Sequence, residues 1–144
     1  MRIRPFFAFA LTALFALPSA AADLSTEPPG DSYVQIPKTL MLPDFPTSMG
    51  TIYVVKDTLP VGPYLAYDHS GKLVATLYML SMKDMDAHKA YGNLATSGAQ
   101  VDHVELFFNA GHPDMEIPHY HFVLWHVSHA EEAALREKAH VDMK

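Results

Sequence analysis

The sequence has 144 residues, with 10 Lys and Arg residues against 16 Asp and Glu residues, and its formal net charge is −6 at pH 7. This length suits one domain, and the scattered lysines argue against a nucleic-acid partner, which requires clustered positive charge. The chain contains no cysteine, which excludes disulfide bonds and thiolate metal ligands.

Residues 1–22 have the pattern of a secretory signal peptide. Arg2 and Arg4 precede an uncharged run that ends in the small residues Ala20 and Ala22. The apolar stretch is shorter than the roughly 20 residues that span a bilayer, which favours a cleaved signal over a membrane anchor. We therefore expect a periplasmic or secreted protein that has no membrane association after cleavage.

Residues 23–49 are rich in proline, with prolines at positions 28, 29, 37, 43 and 46. Proline disfavours both helices and central strands, so this segment is predicted to be an extended arm. A short edge strand is expected near residues 33–36. Such an arm either wraps a neighbouring subunit, as in a homo-oligomer, or forms a loosely packed leader.

Residues 50–144 are predicted to form a single α+β domain. The runs TIYVVKD, GPYLAYD and KLVATLYML are rich in β-branched and aromatic residues, as strands are. The connection Asp68–Lys72 suits a hairpin in which Gly71 takes a positive φ.

Two helices complete this domain. Ser81 and Asp84 have the spacing of a helix N-cap and its partner, and the following helix is predicted to run for about three turns towards Gly98. Ser128 and Glu131 have capping-box spacing ahead of a C-terminal helix. The predicted fold is an antiparallel sheet of five or six strands, either open or barrel-like, with two helices packed on it.

The hairpin at residues 102–127 is rich in histidine. Its strands read DHVELFFN and PHYHFVLWHV, joined by AGHPDMEI. Side chains alternate between the faces of a strand, so His103 and Glu105 share one face and His119 and His121 share another. A register that sets Glu105 opposite His121 would bring these four side chains together.

Three imidazoles and one carboxylate suit a divalent transition metal such as Zn, Cu or Fe, and the residues do not choose among these. His112, in the Gly-His-Pro connection, is a candidate fifth ligand or an acid or base at an open position. His126 points to the opposite face and His129 begins the last helix, so both are expected to be structural or solvated.

A methionine pattern offers a second reading. Met79, Met82, Met85 and His88 recur every three residues, and soft sulfur can hold Cu(I). Core packing is the more common reason for such a stripe.

The segment HVELFFNAGHPDMEIPHYHFVLWHV resembles a family of small exported bacterial proteins of unknown function, whose members include a homodecameric Thermus protein. The resemblance lies in the Gly-His-Pro turn and the Pro-His-aromatic strand, and it covers mainly residues 50–127. The family pattern has an acidic residue and then a histidine where this chain has His121 and Val123. The resemblance implies an exported all-β or α+β domain that can oligomerise, and it brings no activity.

Three functions are therefore open. The first is an exported protein that binds a divalent transition metal through His103, Glu105, His119, His121 and His112. The second is a mononuclear metalloenzyme that uses the same site. The third is a non-catalytic, oligomeric structural protein in which the histidines pack or respond to pH.

Overall fold

The computed structural model describes residues 23–37, 45, 49–113 and 115–142. The predicted signal peptide and much of the second half of the arm lie outside these residues. The six strands are β1 (Val34–Gln35), β2 (Gly50–Val54), β3 (Tyr64–Asp68), β4 (Leu73–Ser81), β5 (His103–Asn109) and β6 (His119–Trp125). The helices are α1 (Met82–Asp86) and α2 (His129–Asp142), and a short 3-10 helix covers Lys56–Thr58.

The strands form one antiparallel sheet in the order β1-β2-β3-β4-β6-β5. The predicted α+β class, six strands and two helices are confirmed. The sheet is open, with β1 and β5 as its two edges, so the barrel-like alternative is wrong. The expected short strand in the arm is β1, and it pairs with β2.

The β3–β4 hairpin forms where the sequence predicts it. Gly71 has a φ of +81°, a conformation that costs other residues a steric clash. The Asp68 carboxylate accepts hydrogen bonds from the backbone N–H groups of Ser70 and Lys72 at 2.8 and 3.1 Å. Local turn chemistry therefore fixes this connection.

The first helix is shorter than predicted. Ser81 caps it as expected, since its hydroxyl accepts a hydrogen bond from the Asp84 N–H at 3.1 Å. His88 then adopts a φ of +54°, and the Lys89 N–H donates to the carbonyl of Asp84 at 2.9 Å. This left-handed residue with a bond back across the last turn ends a helix, so the three-turn prediction is wrong.

The second helix begins with the predicted capping box. The Glu131 N–H donates to the Ser128 hydroxyl at 3.3 Å, and the Ser128 N–H donates to the Glu131 carboxylate at 3.0 Å. The hydrogen bonds that Glu131 accepts from the Ser128 N–H and hydroxyl hold the pKa of its carboxyl below the usual value. Leu135 of this helix packs against the core.

The larger of the two hydrophobic clusters formed by the described residues lies on one face of the sheet. Alternate residues of the strands contribute to it, including Ile52 and Val54 of β2, Leu77 and Met79 of β4, and Val123 and Trp125 of β6. Every second residue of β6 is buried, and this buried row begins with His119 and His121. Among the described residues, no helix is long and apolar enough to cross a membrane.

Candidate metal centre

Two imidazoles occupy core positions on β6. His119 is fully buried and His121 is 1% exposed, although histidine is rarely so deeply enclosed. Their strand alternates buried and half-buried residues, so both rings point to the same face of the sheet. The predicted placement of these two side chains on one face is confirmed.

The register of the β5–β6 hairpin differs from the prediction by two residues. Glu105 lies opposite Val123, and His121 lies opposite Phe107. The ladder extends to Asn109, which lies opposite His119, so the connecting loop begins two residues later than in the predicted register. At the start of this loop the Asn109 side chain accepts a hydrogen bond from the Gly111 N–H at 2.8 Å. The predicted convergence of Glu105 on His121 is therefore wrong.

The loop brings His112 to the two buried imidazoles. The backbone groups of His112 and Met115 exchange hydrogen bonds at 3.1 and 3.0 Å, which folds the loop into a tight bridge. Gly111 has a φ of +131°, and a Cβ atom there would lie 2.8 Å from the carbonyl oxygen of Glu116. Only glycine fits this position without strain, and it sets the direction of the His112 side chain.

The three rings of His112, His119 and His121, here called the core cluster, lie in mutual contact. The ring centroid of His112 is 4.9 Å from that of His119 and 5.4 Å from that of His121. The rings of His119 and His121 are 4.8 Å apart. Each ring offers a ligand atom, and these atoms lie within 4.8 Å of one another.

Backbone carbonyls orient two of these rings. Nδ1 of His119 donates to the carbonyl of Ile117 at 2.6 Å, and Nδ1 of His112 donates to the carbonyl of Pro113 at 2.7 Å. A carbonyl can only accept, so both Nδ1 atoms carry the proton and a neutral ring keeps its lone pair on Nε2. Backbone carbonyls hold metal-binding histidines in this way.

The three Nε2 atoms of the core cluster do not all have a hydrogen-bond partner within the cluster. Those of His119 and His121 are 2.8 Å apart and can share one proton. Nε2 of His112 is buried and has no hydrogen-bond partner among the described residues. An unsatisfied buried acceptor costs about 1–3 kcal/mol, and a cation between the three nitrogens would remove that cost.

The donor set fits a first-row transition metal. Two nitrogens bound tetrahedrally to zinc at 2.0–2.1 Å lie about 3.3 Å apart, so His119 and His121 need to separate by only about half an ångström. Among the described residues no carboxylate joins this group, and three imidazoles leave a coordination position for a further ligand. His112 is thus a full member of the group, whereas the sequence pattern indicated only an additional role for it.

A second group, the helix cluster, consists of His103, His129 and Glu132. Its ligand atoms also lie within 4.8 Å of one another. The rings of His103 and His129 stack with centroids 3.7 Å apart, and Glu132 is 7% exposed. The predicted grouping of His103 with His119 and His121 does not occur, because the two-residue register shift carries His103 to the side of Trp125, against α2.

The nitrogens of His103 both face carboxylates. Nε2 donates to Glu132 at 3.1 Å and Nδ1 donates to Asp102 at 2.9 Å, which requires a protonated ring. Burial lowers the pKa of His103, but these two hydrogen bonds and the negative charges behind them outweigh burial and raise the pKa. A protonated imidazole has no lone pair for a metal.

Glu132 is also committed to an arginine. Its second oxygen accepts a hydrogen bond from Nε of Arg136 at 2.6 Å. The Arg136 guanidinium is 3.6 Å from the carboxylate of Glu105, which accepts a hydrogen bond from the Trp125 indole at 2.9 Å. Glu105, predicted to be a metal ligand, therefore belongs to an ion-pair network that joins α2 to the sheet.

The remaining histidine of the hairpin is structural. His126 lies on the opposite face from the core cluster, as predicted, where its Nδ1 donates to the carbonyl of Gln100 at 2.9 Å. Its Nε2 lies 2.8 Å from the Thr76 hydroxyl. Burial lowers the pKa of His126, so the neutral ring serves here as an acceptor.

The helical part of the helix cluster could have been found from residue spacing in the sequence, whereas the alternation along the strands gives no sign of it. His129, Glu132 and Arg136 are spaced at three and four residues, so they lie on one face of α2. The methionine stripe forms no single surface, because Met79 is buried in β4 whereas Met85 is 38% exposed on α1.

Comparison with solved structures finds a relative of this chain. No protein-family model matches the sequence, and no curated protein matches it. A solved structure from Thermus thermophilus, described as the hypothetical protein TTHB210, is 36% identical and superposes with a TM-score of 0.57, over 68% of this chain and 95% of that chain. The resemblance to a Thermus protein is thereby confirmed, and the chain belongs to the family of TTHB210.

Proposed function

We propose that this protein binds one divalent transition metal ion through Nε2 of His112, His119 and His121. The observation that carries the proposal is the buried Nε2 of His112, which has no hydrogen-bond partner in the described part of the chain and lies beside two further buried imidazoles. Neutral imidazole is a good ligand for Zn²⁺, Cu²⁺ and Fe²⁺. The helix cluster is the weaker candidate for a metal site, because both ring nitrogens of His103 already form hydrogen bonds with carboxylates.

The proposal includes export. Arg2 and Arg4 followed by an uncharged apolar run favour a periplasmic or secreted protein. In that setting a site of three imidazoles serves either to bind and deliver the metal or, through its open position, to act on a small molecule. The arrangement of ligands is common to both roles.

Metal analysis of protein purified without a histidine tag tests the proposal. We expect about one metal ion per chain in native protein, or after reconstitution with Zn²⁺, and less than about a tenth of that in the His119→Ala/His121→Ala double variant. The matched control is His103→Ala/His129→Ala, which removes two histidines from the helix cluster and should retain the metal. Native protein that takes up no metal would refute the proposal.

A second candidate function, self-association of the chain, is supported by an exposed apolar row on β5. Val104, Leu106 and Phe108 of the edge strand β5 are 48%, 54% and 59% exposed on the face away from the core. An apolar row on an edge strand is a typical contact surface between chains. We propose that copies of the chain pack through this row, and light scattering should show a lower mass for Leu106→Glu/Phe108→Glu than for native protein.

A further inference from the structure

A cavity of about 350 Å³ adjoins the core cluster. It lies between β1, the 3-10 helix and the His112 loop, and both His112 and Met79 form part of its wall. Met79 lies opposite His121 in the β4–β6 ladder, and His112 is the member of the core cluster that the described lining includes. Its volume falls at the lower end of the range of roughly 300–1,000 Å³ that is usual for small-molecule sites.

The walls of this cavity are apolar. Val34, Ile36, Val54 and Leu59 line it together with Met79. Such walls favour a ligand with an aliphatic or aromatic body, because burying apolar surface contributes about 25 cal/mol per Å². The walls alone do not specify the polar end of a ligand.

The positive charge of Lys56 at the cavity favours one kind of polar end on the ligand. Lys56 lines the cavity together with His112, and the described lining contains neither aspartate nor glutamate. Within the described lining a cation therefore meets the positive side chain of Lys56 and no carboxylate, whereas an anion meets favourable charge. Carboxylate oxygen is also a normal fourth ligand for a metal held by imidazoles.

We propose that the cavity binds a small apolar carboxylate, of the size of a medium-chain fatty acid, with its head at the open position of the metal. This inference rests on the proposed metal site. In this proposal the core cluster binds the head of the ligand, and the apolar walls of the cavity determine which ligands fit. The ligand and the metal then support each other's binding by the same factor.

Calorimetric titration with octanoate tests the proposal on zinc-loaded and metal-free protein. We expect one molecule bound per chain in the zinc-loaded protein and an affinity at least about tenfold lower without zinc, because the head then loses its metal contact. Octylamine, which has the same tail and a positive head, should bind at least about tenfold more weakly than octanoate.

A cavity-filling variant separates this site from general hydrophobic binding. Val34→Trp places a large ring in the cavity wall and should abolish octanoate binding while zinc affinity stays unchanged. The matched control is Val101→Trp, the same substitution at a position that is 38% exposed and outside the lining of the cavity. That variant should bind octanoate normally.

The outcomes are distinct. If native protein takes up no zinc, the proposed metal site fails and this inference fails with it. If zinc binds at one ion per chain but octanoate does not saturate, only this inference fails. Equal binding of octylamine, or octanoate binding that survives Val34→Trp, would also overturn it.

Discussion

The core cluster and the helix cluster contain the same kind of side chain in different surroundings. In the core cluster the imidazoles face one another, and backbone carbonyls take the Nδ1 protons of His112 and His119. In the helix cluster the imidazole of His103 donates to carboxylates from both nitrogens. The first arrangement leaves the buried Nε2 of His112 without a hydrogen-bond partner among the described residues, whereas the second engages both nitrogens of His103 with carboxylates.

This difference shows that a count of nearby histidines does not identify a metal site. In both clusters the candidate ligand atoms lie within 4.8 Å of one another. What distinguishes them is the partner of each ring nitrogen, because that partner sets the tautomer and the charge of the ring. The helix cluster holds α2 on the sheet, and the core cluster is the candidate metal centre.

The largest effect on stability is expected from Glu132→Gln. This change removes the buried charge that pairs with His103 and Arg136, and hydrogen bonds to charged groups are worth about 1.5–3 kcal/mol each. Urea unfolding of the metal-free protein should show a loss of about that size. Glu137→Gln, at an exposed position of the same helix, should lie within about 0.5 kcal/mol of native protein.

Metal affinity should be unchanged in Glu132→Gln, since the core cluster does not use this carboxylate. A parallel loss of metal binding would mean that the two clusters act as one site. It would therefore contradict the separation of their roles.

A smaller effect, confined to the core cluster, is expected from Gly111→Ala. The added Cβ would lie 2.8 Å from the Glu116 carbonyl oxygen at a φ of +131°, so the loop must shift and displace His112. We expect zinc affinity to fall by about tenfold, or about 1.4 kcal/mol.

Gly98→Ala is the control for the loop variant. Gly98 also has a positive φ, of +75°, but no atom lies within 4 Å of the added Cβ. It should therefore cost stability without changing zinc affinity. Equal loss of affinity in both variants would show that His112 is not positioned by Gly111.

The smallest expected effect is on the pH dependence of stability, to which His103 and His126 contribute with opposite sign. The pKa of His103 is raised in the folded protein, so its contribution to stability is complete below about pH 6.5 and is lost as the pH rises through the folded-state pKa. The pKa of His126 is lowered, so its contribution is present above about pH 6.5 and is lost as the pH falls through the folded-state pKa.

Unfolding of metal-free protein between about pH 5 and 8.5 checks these signs. The destabilisation caused by His103→Gln should shrink as the pH rises, and that caused by His126→Gln should shrink as the pH falls. The same direction of change in both variants would contradict the assigned protonation states.

Much of the fold could be predicted from the sequence because its signals are local. The turn at Gly71, the cap at Ser81 and the capping box at Ser128 each depend on a few neighbouring residues. The length of α1 could not be predicted, because its end depends on a left-handed conformation at His88, which residues other than glycine adopt only occasionally.

The site could be predicted only in part. Alternation places His119 and His121 on one face, and the Gly-His-Pro turn singles out His112. The hairpin register could not be predicted from the sequence. A shift of two residues leaves every side chain on the same face, so the hydrophobic pattern is the same in both registers. That shift sends His103 and Glu105 to a helix that is distant in sequence.

The central claim is that the metal lies between the three imidazoles of the core cluster. Anomalous scattering from crystals of metal-loaded protein, recorded on both sides of the metal's absorption edge, locates the ion directly. We predict a single strong peak within about 2.0–2.2 Å of Nε2 of His112, His119 and His121. A peak beside His103, His129 and Glu132, with none at the core cluster, would contradict the account.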